Sequence, residues 1–408
     1  MNTAHQQHLT RIYRDGLLED VLPFWTTHAV DHESGGFLTA LDRDGTVIDT
    51  DKGVWQQARF TWLLGELTNC ELLRDNPSRD IWLELARHGA DFLTKHCFDP
   101  ADGRMWFHVT RNGQPIRKRR YAFSESFAAI AYGELAQTLH SDEYAAKATQ
   151  AFQRFITHSL TPPADQAKYT QVRPTRSLGF PMITINTAQQ LRDSIGLEVA
   201  NEWIDRSIED IERYHLKADI QCVMETVSDT GEIINHFDGR TLNPGHAIEG
   251  AWFIMLEGRH RHDSRLVELG CTMLDWMWQR GWDNEYGGML YFTDVYHLPV
   301  QEYWHDMKFW WPHNETIIAT LAAYLLTGDE KYAQWHQLVH DWSYRHFPDP
   351  QHGEWFGYLH RDGRLSVPLK GNLWKGPFHL PRMLLTCWKL LEDSAHNETT
   401  KVLDSKRP

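Results

Sequence analysis

The stretch NPGHAIEGAW (243–252) places His246 and Glu249 three residues apart just behind a Pro-Gly, and KGPFHLPR (375–382) places His379 and Arg382 at the same spacing. Residues three apart share one face of a helix. An imidazole titrates near pH 6.5, so one histidine can take a proton at neutral pH while another gives one. Four more stretches carry candidates of matching kind. GVWQQAR supplies Trp55 and Arg59, YAFSES supplies Tyr121 and Glu125, and PMITINT supplies Asn186. KFWWPHNE supplies Lys308, Trp311 and Glu315, with Pro312 where a helix start tolerates it. Together they offer two bases, carboxylates, cations for a developing negative charge, and indole faces for a sugar. Any one of these has a structural reading. Their recurrence at equivalent places is what points to a site.

Other chemistries find no support in the sequence. GxSxG, a Walker-type loop, GxGxxG before a helix and HExxH are all absent. His352 and His360 have no third ligand near them in sequence, so no metal is expected.

Such residues meet only if something gathers them. DHESGGFLTALDRDG, DPADGRMWFHVTRNG, DNEYGGMLYFTDV and DPQHGEWFGYLHRDG each read as an acidic turn, a glycine, and a short aromatic hairpin. With Gly36, Gly103, Gly288 and Gly353 as register marks, a unit of about 65 residues recurs, degenerate in the middle of the chain. VMETVSDTGEIINHF (223–237) reads as one degenerate member. Helical periodicity between the hairpins predicts helices near 6–28, 51–74, 78–96, 121–140, 142–158, 181–195, 198–215, 245–260, 263–280, 309–327, 330–346 and 377–393. Those following a hairpin are apolar all round and belong inside; the alternate ones carry a polar face and belong outside. Six inner and six outer helices predict an all-α fold, an (α/α)6 toroid with short β-hairpins, rather than a straight solenoid. The expected organisation is a single domain over 1–408, its core at 6–393 and a flexible tail at 394–408. All inner helices start after a hairpin, so their first turns, with free N–H groups, gather at one mouth.

The chain has 408 residues, 41% of them hydrophobic, and a net charge of −14. That charge excludes nucleic acid or an anionic membrane as main partner; RKRR (117–120) reads as a solvated loop. Five cysteines without a CxxC predict reduced thiols. A polar start, with no apolar run of 18 residues, predicts a soluble cytoplasmic protein. The 18 Trp and 24 His add a hint of carbohydrate.

NPGHAIEGAWF, MKFWWPHNETIIA, GEWFGYLHRDG, KGPFHLPR, FWTTHAVDHESGGF and GVWQQAR, in collinear order over about 20–390, resemble the N-acylglucosamine 2-epimerase family, called renin-binding protein in animals. The resemblance implies an (α/α)6 barrel and epimerisation at C2, with N-acetylglucosamine and N-acetylmannosamine interconverted without metal or redox cofactor. It implies that His246 and His379 are the catalytic histidines, and that Arg59, Glu249 and Glu315 belong to the pocket. It further implies ATP as a possible activator, for which the basic loop 164–176 is the candidate site, and a possible homodimer. Pro377 replaces the cysteine that precedes "FH" in the animal enzymes. Alternatives are an aldose–ketose isomerase or 2-epimerase of unmodified hexoses or cellobiose, a glycoside hydrolase using Glu249 and Glu315, and a protein that only binds sugar.

Overall fold

In the computed structural model, which describes residues 1–118, 121–162 and 172–404, each of the four acidic turns does the same mechanical work. The carboxylates of Asp31, Asp99, Asp283 and Asp349 accept the backbone N–H two residues on, at 2.9–3.1 Å. The chain then folds back, so that Val30 bridges Phe37, Phe98 Met105, Trp282 Met289, and Pro348 Trp355. The glycine four residues after each aspartate has a positive φ, between +69° and +82°, which side chains rarely adopt. The equivalent glycines are therefore Gly35, Gly103, Gly287 and Gly353. Two register marks chosen from sequence, Gly36 and Gly288, lie one residue late because those turns carry a Gly-Gly pair.

Between the turns run the expected helices. The first is split into α1 (Thr3–Asp15) and α2 (Leu22–His28) by a π-helical turn. Then come α3 (Val54–Asn69), α4 (Arg79–His96), α5 (Phe123–Leu139), α6 (Asp142–Leu160), α7 (Gly179–Ile195) and α8 (Ala200–Asp210). A short α9 (Phe237–Arg240) precedes α10 (Pro244–Arg261), α11 (Ser264–Gly281), α12 (Trp310–Thr327), α13 (Glu330–His346) and α14 (His379–Asp404). The last helix continues past 393, since 394–404 contains neither Gly nor Pro to stop it. α5 is buried without a break from Ser124 to Ala136, and α12 from Trp310 to Ala323. α8 buries only a stripe of Ala200, Ile204, Ser207 and Ile208. α3, α5, α7, α10, α12 and α14 thus form the inner ring.

Closure needs the two ends of the chain to meet. α1 packs on α14, and Tyr13 Oη lies 3.0 Å from His336 Nε2 on α13. Lys389 of α14 reaches Glu66 of α3 at 2.8 Å, and Leu41 N donates to Gly371 O at 3.1 Å. A straight solenoid would leave these groups far apart.

Buried ion clusters tie three of the four hairpins to the next. Asp31 holds Lys52 Nζ at 2.8 Å and Arg111 Nη2 at 2.8 Å. Asp283 holds Lys308 Nζ at 2.9 Å and Arg361 Nε at 2.8 Å. Asp349 holds Lys370 Nζ at 3.1 Å and Arg43 Nε at 2.7 Å, which joins the last repeat to the first. All three lysine side chains are fully buried.

Histidine serves the fold as well. Burial lowers His313 and His336 to about 3 and His340 to about 4. The folded protein keeps them neutral, whereas the unfolded chain protonates them near 6.5. Their contribution is complete above pH 6.5 and is lost as pH falls below it, by roughly 1 kcal/mol per histidine one unit lower. The melting temperature is expected to drop by several degrees from pH 7 to pH 5.5; a flat profile over that range would contradict the assignment.

Candidate active site

The first turns of the inner helices surround a cavity of about 710 Å³. Trp55, Arg59, Tyr121, Asn186, His246, Glu249, Trp311, His379 and Arg382 all line it. Nine of the twelve residues chosen from sequence therefore converge.

Two of the other three have structural roles, and phase explains why. On α5 the cavity face is Phe123, Phe127 and Ile130, spaced four and three. Glu125 lies on the far side of that helix. It accepts Arg104 Nε at 2.7 Å and Met105 N at 2.9 Å. Gln57 does the same for Phe37 N at 2.7 Å, and His313 for Met289 N at 2.9 Å. Lys308 sits in a strand before α12, where neighbouring side chains point to opposite faces. Phe309 faces the cavity, and Lys308 faces Asp283. Glu315 is fully buried below the cavity floor. It orients other groups and does not line the cavity.

α10 begins with Asn243 as its cap, whose Oδ1 accepts His246 N at 3.2 Å. His246 Nδ1 lies 3.1 Å from both carboxylate oxygens of Glu225. Asn243 Nδ2 is 3.0 Å from the same nitrogen, but the negative charge of Glu225 keeps a proton on Nδ1. Burial pulls the His246 pKa down; the charge of Glu225, its hydrogen bond, and the charges of Glu249 and Glu315 outweigh it, so the pKa is raised. A third of the side chain stays open to the cavity.

His379 opens α14. Its Nδ1 donates to Glu315 Oε1 at 2.8 Å. Glu315 also accepts Arg382 Nη2 at 2.7 Å and Trp252 Nε1 at 2.9 Å. Burial, and after it the charge of Arg382, hold His379 well below the ordinary histidine value. One imidazole is thus biased to carry a proton and the other to lack one. In both, the carboxylate holds Nδ1 and leaves Nε2 for chemistry.

The indole of Trp311 lies between the two rings, 5.1 Å from His246 and 5.6 Å from His379, tilted by 36° and 38°. Gly245 allows this approach: a Cβ there would come within 2.7 Å of Trp311.

Arg59 is stacked among Trp55, Phe127 and Phe378 at 4.5, 4.1 and 4.5 Å. Its Nε has no hydrogen-bond partner, and burial brings its pKa down to about 9. The nearby carboxylates Glu315 and Glu249 are both taken by Arg382. Arg59 is left with donors for an oxygen that the protein does not supply.

Among the described residues, one group could hold a metal ion: Glu249, Glu315 and His379. Arg382 already bonds both carboxylates. A cation would have to displace a guanidinium, so these residues do not fit a metal.

A profile of the family described as N-acylglucosamine 2-epimerase (GlcNAc 2-epimerase) matches residues 35–379. The chain belongs to the N-acylglucosamine 2-epimerase family. The N-acylglucosamine 2-epimerase of Mus musculus is 34% identical, over 92% of this chain and 90% of its own. That of Bos taurus is 33% identical, over 95% and 93%. The structure of cellobiose 2-epimerase from Bacillus thermoamylovorans B4167 superposes with a TM-score of 0.80 at 20% identity, covering 94% and 99% of the two chains; this likeness shows the fold. Membership makes the chain an isomerase of the epimerase type.

Several residues at and beside the cavity escape sequence reading. Glu225 comes from the degenerate hairpin 223–237, where one carboxylate interrupts the buried Val223, Met224 and Val227; that interruption was the available signal. Tyr291, Trp304 and Trp374 line the cavity from connections without helical period. Of the loop 164–176, residues 164–171 lie outside the described part; Arg176 stacks on Tyr214 and donates to Asp229 O. In the basic run, Lys118 pairs with Asp99 and Asp102, while residues 119 and 120 lie outside the description.

Proposed function

We propose that this protein interconverts N-acetyl-D-glucosamine and N-acetyl-D-mannosamine by removing and returning the proton on C2 of the open-chain sugar. One observation carries this reading: two histidines in one cavity, each with Nδ1 on its own carboxylate, their proton affinities pushed in opposite directions. The third-identical relatives named for this substrate support the acyl sugar.

The open chain matters because only there does the C1 carbonyl acidify the C2 proton. His379 Nε2, neutral at rest, takes that proton from one face. The negative charge moves to the carbonyl oxygen, where Arg59 donates. His246, whose neighbouring carboxylates favour its protonated form, returns a proton to the other face and inverts C2. In the reverse direction the roles exchange. The steps need no group beyond the chain and water. ATP as activator, a homodimer, a single catalytic domain and a cytoplasmic location belong to the same proposal. Five buried, unpaired cysteines support a reducing compartment, and among the described residues no helix is long and apolar enough to cross a membrane.

The test is proton NMR in D2O with N-acetylmannosamine and, separately, mannose, with and without ATP. N-acetylglucosamine bearing deuterium at C2 supports the reading. Glucose or fructose formed from mannose, with the acyl sugar inert, would move the protein to unmodified hexoses. No exchange with either would overturn the chemistry.

The pair is active with one proton between its members, so kcat/KM should follow a bell. Its acid limb lies below 6.5 through His379, and its alkaline limb above 6.5 through His246. Glu225→Gln removes the charge that raises His246, so the alkaline limb is expected to move to lower pH while the acid limb stays. An unmoved alkaline limb would show that Glu225 does not set that pKa.

A further inference from the structure

The cavity is divided by chemistry as well as by helices. Its charged groups stand on α3, α10 and α14, and Trp311 stands on α12. The α5–α7 wall is different: Ile130, Met182 and Ile183 with one carboxamide, Asn186. Among the described residues no protein group bonds the Asn186 side chain. Met182 packs against Gly250 of α10, one residue past Glu249; a Cβ there would sit 3.4 Å from Met182 Cγ. The apolar wall therefore adjoins the catalytic groups directly.

Resting on the acyl-sugar reading, we propose that this wall is the acyl pocket: Asn186 pairs with the substrate's amide, and its alkyl end lies on Ile130, Met182 and Ile183. The amide nitrogen is bonded to the very carbon that loses its proton, so the acyl group must start beside the histidines. A free carboxamide offers both a donor and an acceptor, the complement of a secondary amide. A 2-hydroxyl would use part of Asn186 and leave the apolar wall uncovered. The cavity also lies within the roughly 300–1,000 Å³ typical of sites for ligands larger than a simple hexose, so acyl groups longer than acetyl have space.

The test compares kcat/KM for N-acetyl-, N-propanoyl- and N-butanoylmannosamine in the native protein, Asn186→Ala and Ile183→Ala. Ile183 faces the cavity, so shortening it leaves the core intact. Ile183→Ala should raise the butanoyl-to-acetyl ratio about 10-fold, the range for a few methylenes in an apolar pocket. Asn186→Ala should lower kcat/KM for all three at least 10-fold, mainly through KM. An unchanged butanoyl-to-acetyl ratio in Ile183→Ala together with undiminished kcat/KM in Asn186→Ala, with the native protein active on N-acetylmannosamine, would overturn the pocket and leave the epimerase reading standing. A native protein that exchanges C2 of mannose but of no acyl sugar would overturn both.

Discussion

His379→Gln and His246→Gln should each lower the rate of epimerisation on the order of 10²–10⁴-fold, the usual range for losing a positioned acid or base. Glutamine keeps much of the volume and a hydrogen-bonding end toward Glu315 or Glu225, so the fold should survive. The decisive readout is kcat at saturating sugar, with circular dichroism and the melting temperature as controls. Loss of kcat with an unchanged melting temperature is expected. The two positions should differ in what remains. In His379→Gln the base on one face is gone, while His246 remains to exchange a proton on the other. In His246→Gln the base is intact and the return of a proton to the other face fails. A variant at either position that retains more than a tenth of native kcat would remove that histidine from the chemistry.

The largest expected effect on stability lies outside the cavity. Asp283→Ala should cost about 3–5 kcal/mol of unfolding free energy, because it leaves a buried lysine without its partner. Lys308 is fully buried, and Asp283 is within 2.9 Å of it. Burial already brings Lys308 down to about 8 despite that carboxylate. The same change frees Arg361, half-exposed and cheaper to leave alone. Urea denaturation measures the loss. Adding Lys308→Met should restore most of it, since an apolar residue needs no counter-charge. A cost below 1 kcal/mol for Asp283→Ala would contradict the role given to the cluster.

That cluster also shows how far residue types carry without phase. Lys308 reads in sequence as a substrate cation because it stands near Trp311 and Glu315. Its equivalents Lys52 and Lys370 occupy the same place in other repeats, each on a turn aspartate. Comparing repeats would have moved it to the structural set. Glu125 fails for the matching reason: it is two residues from Phe123 and Phe127, hence around the helix from the cavity. The ring itself was legible, since Asp-turns, positive-φ glycines and apolar all-round helices each have local causes. His246, His379, Arg59 and Glu249 were legible because first turns of inner helices must meet. Glu225 and Trp374 were hidden, as they arrive on irregular connections whose direction only tertiary packing sets.

The most direct test of two bases on opposite faces is deuterium exchange at C2 in the single-histidine variants, followed by proton NMR with each epimer separately. His246→Gln should exchange the C2 proton of one epimer with solvent without inverting it, and His379→Gln should do so for the other epimer only. Exchange of both epimers by either variant, or continued inversion with only one histidine left, would contradict the two-histidine account.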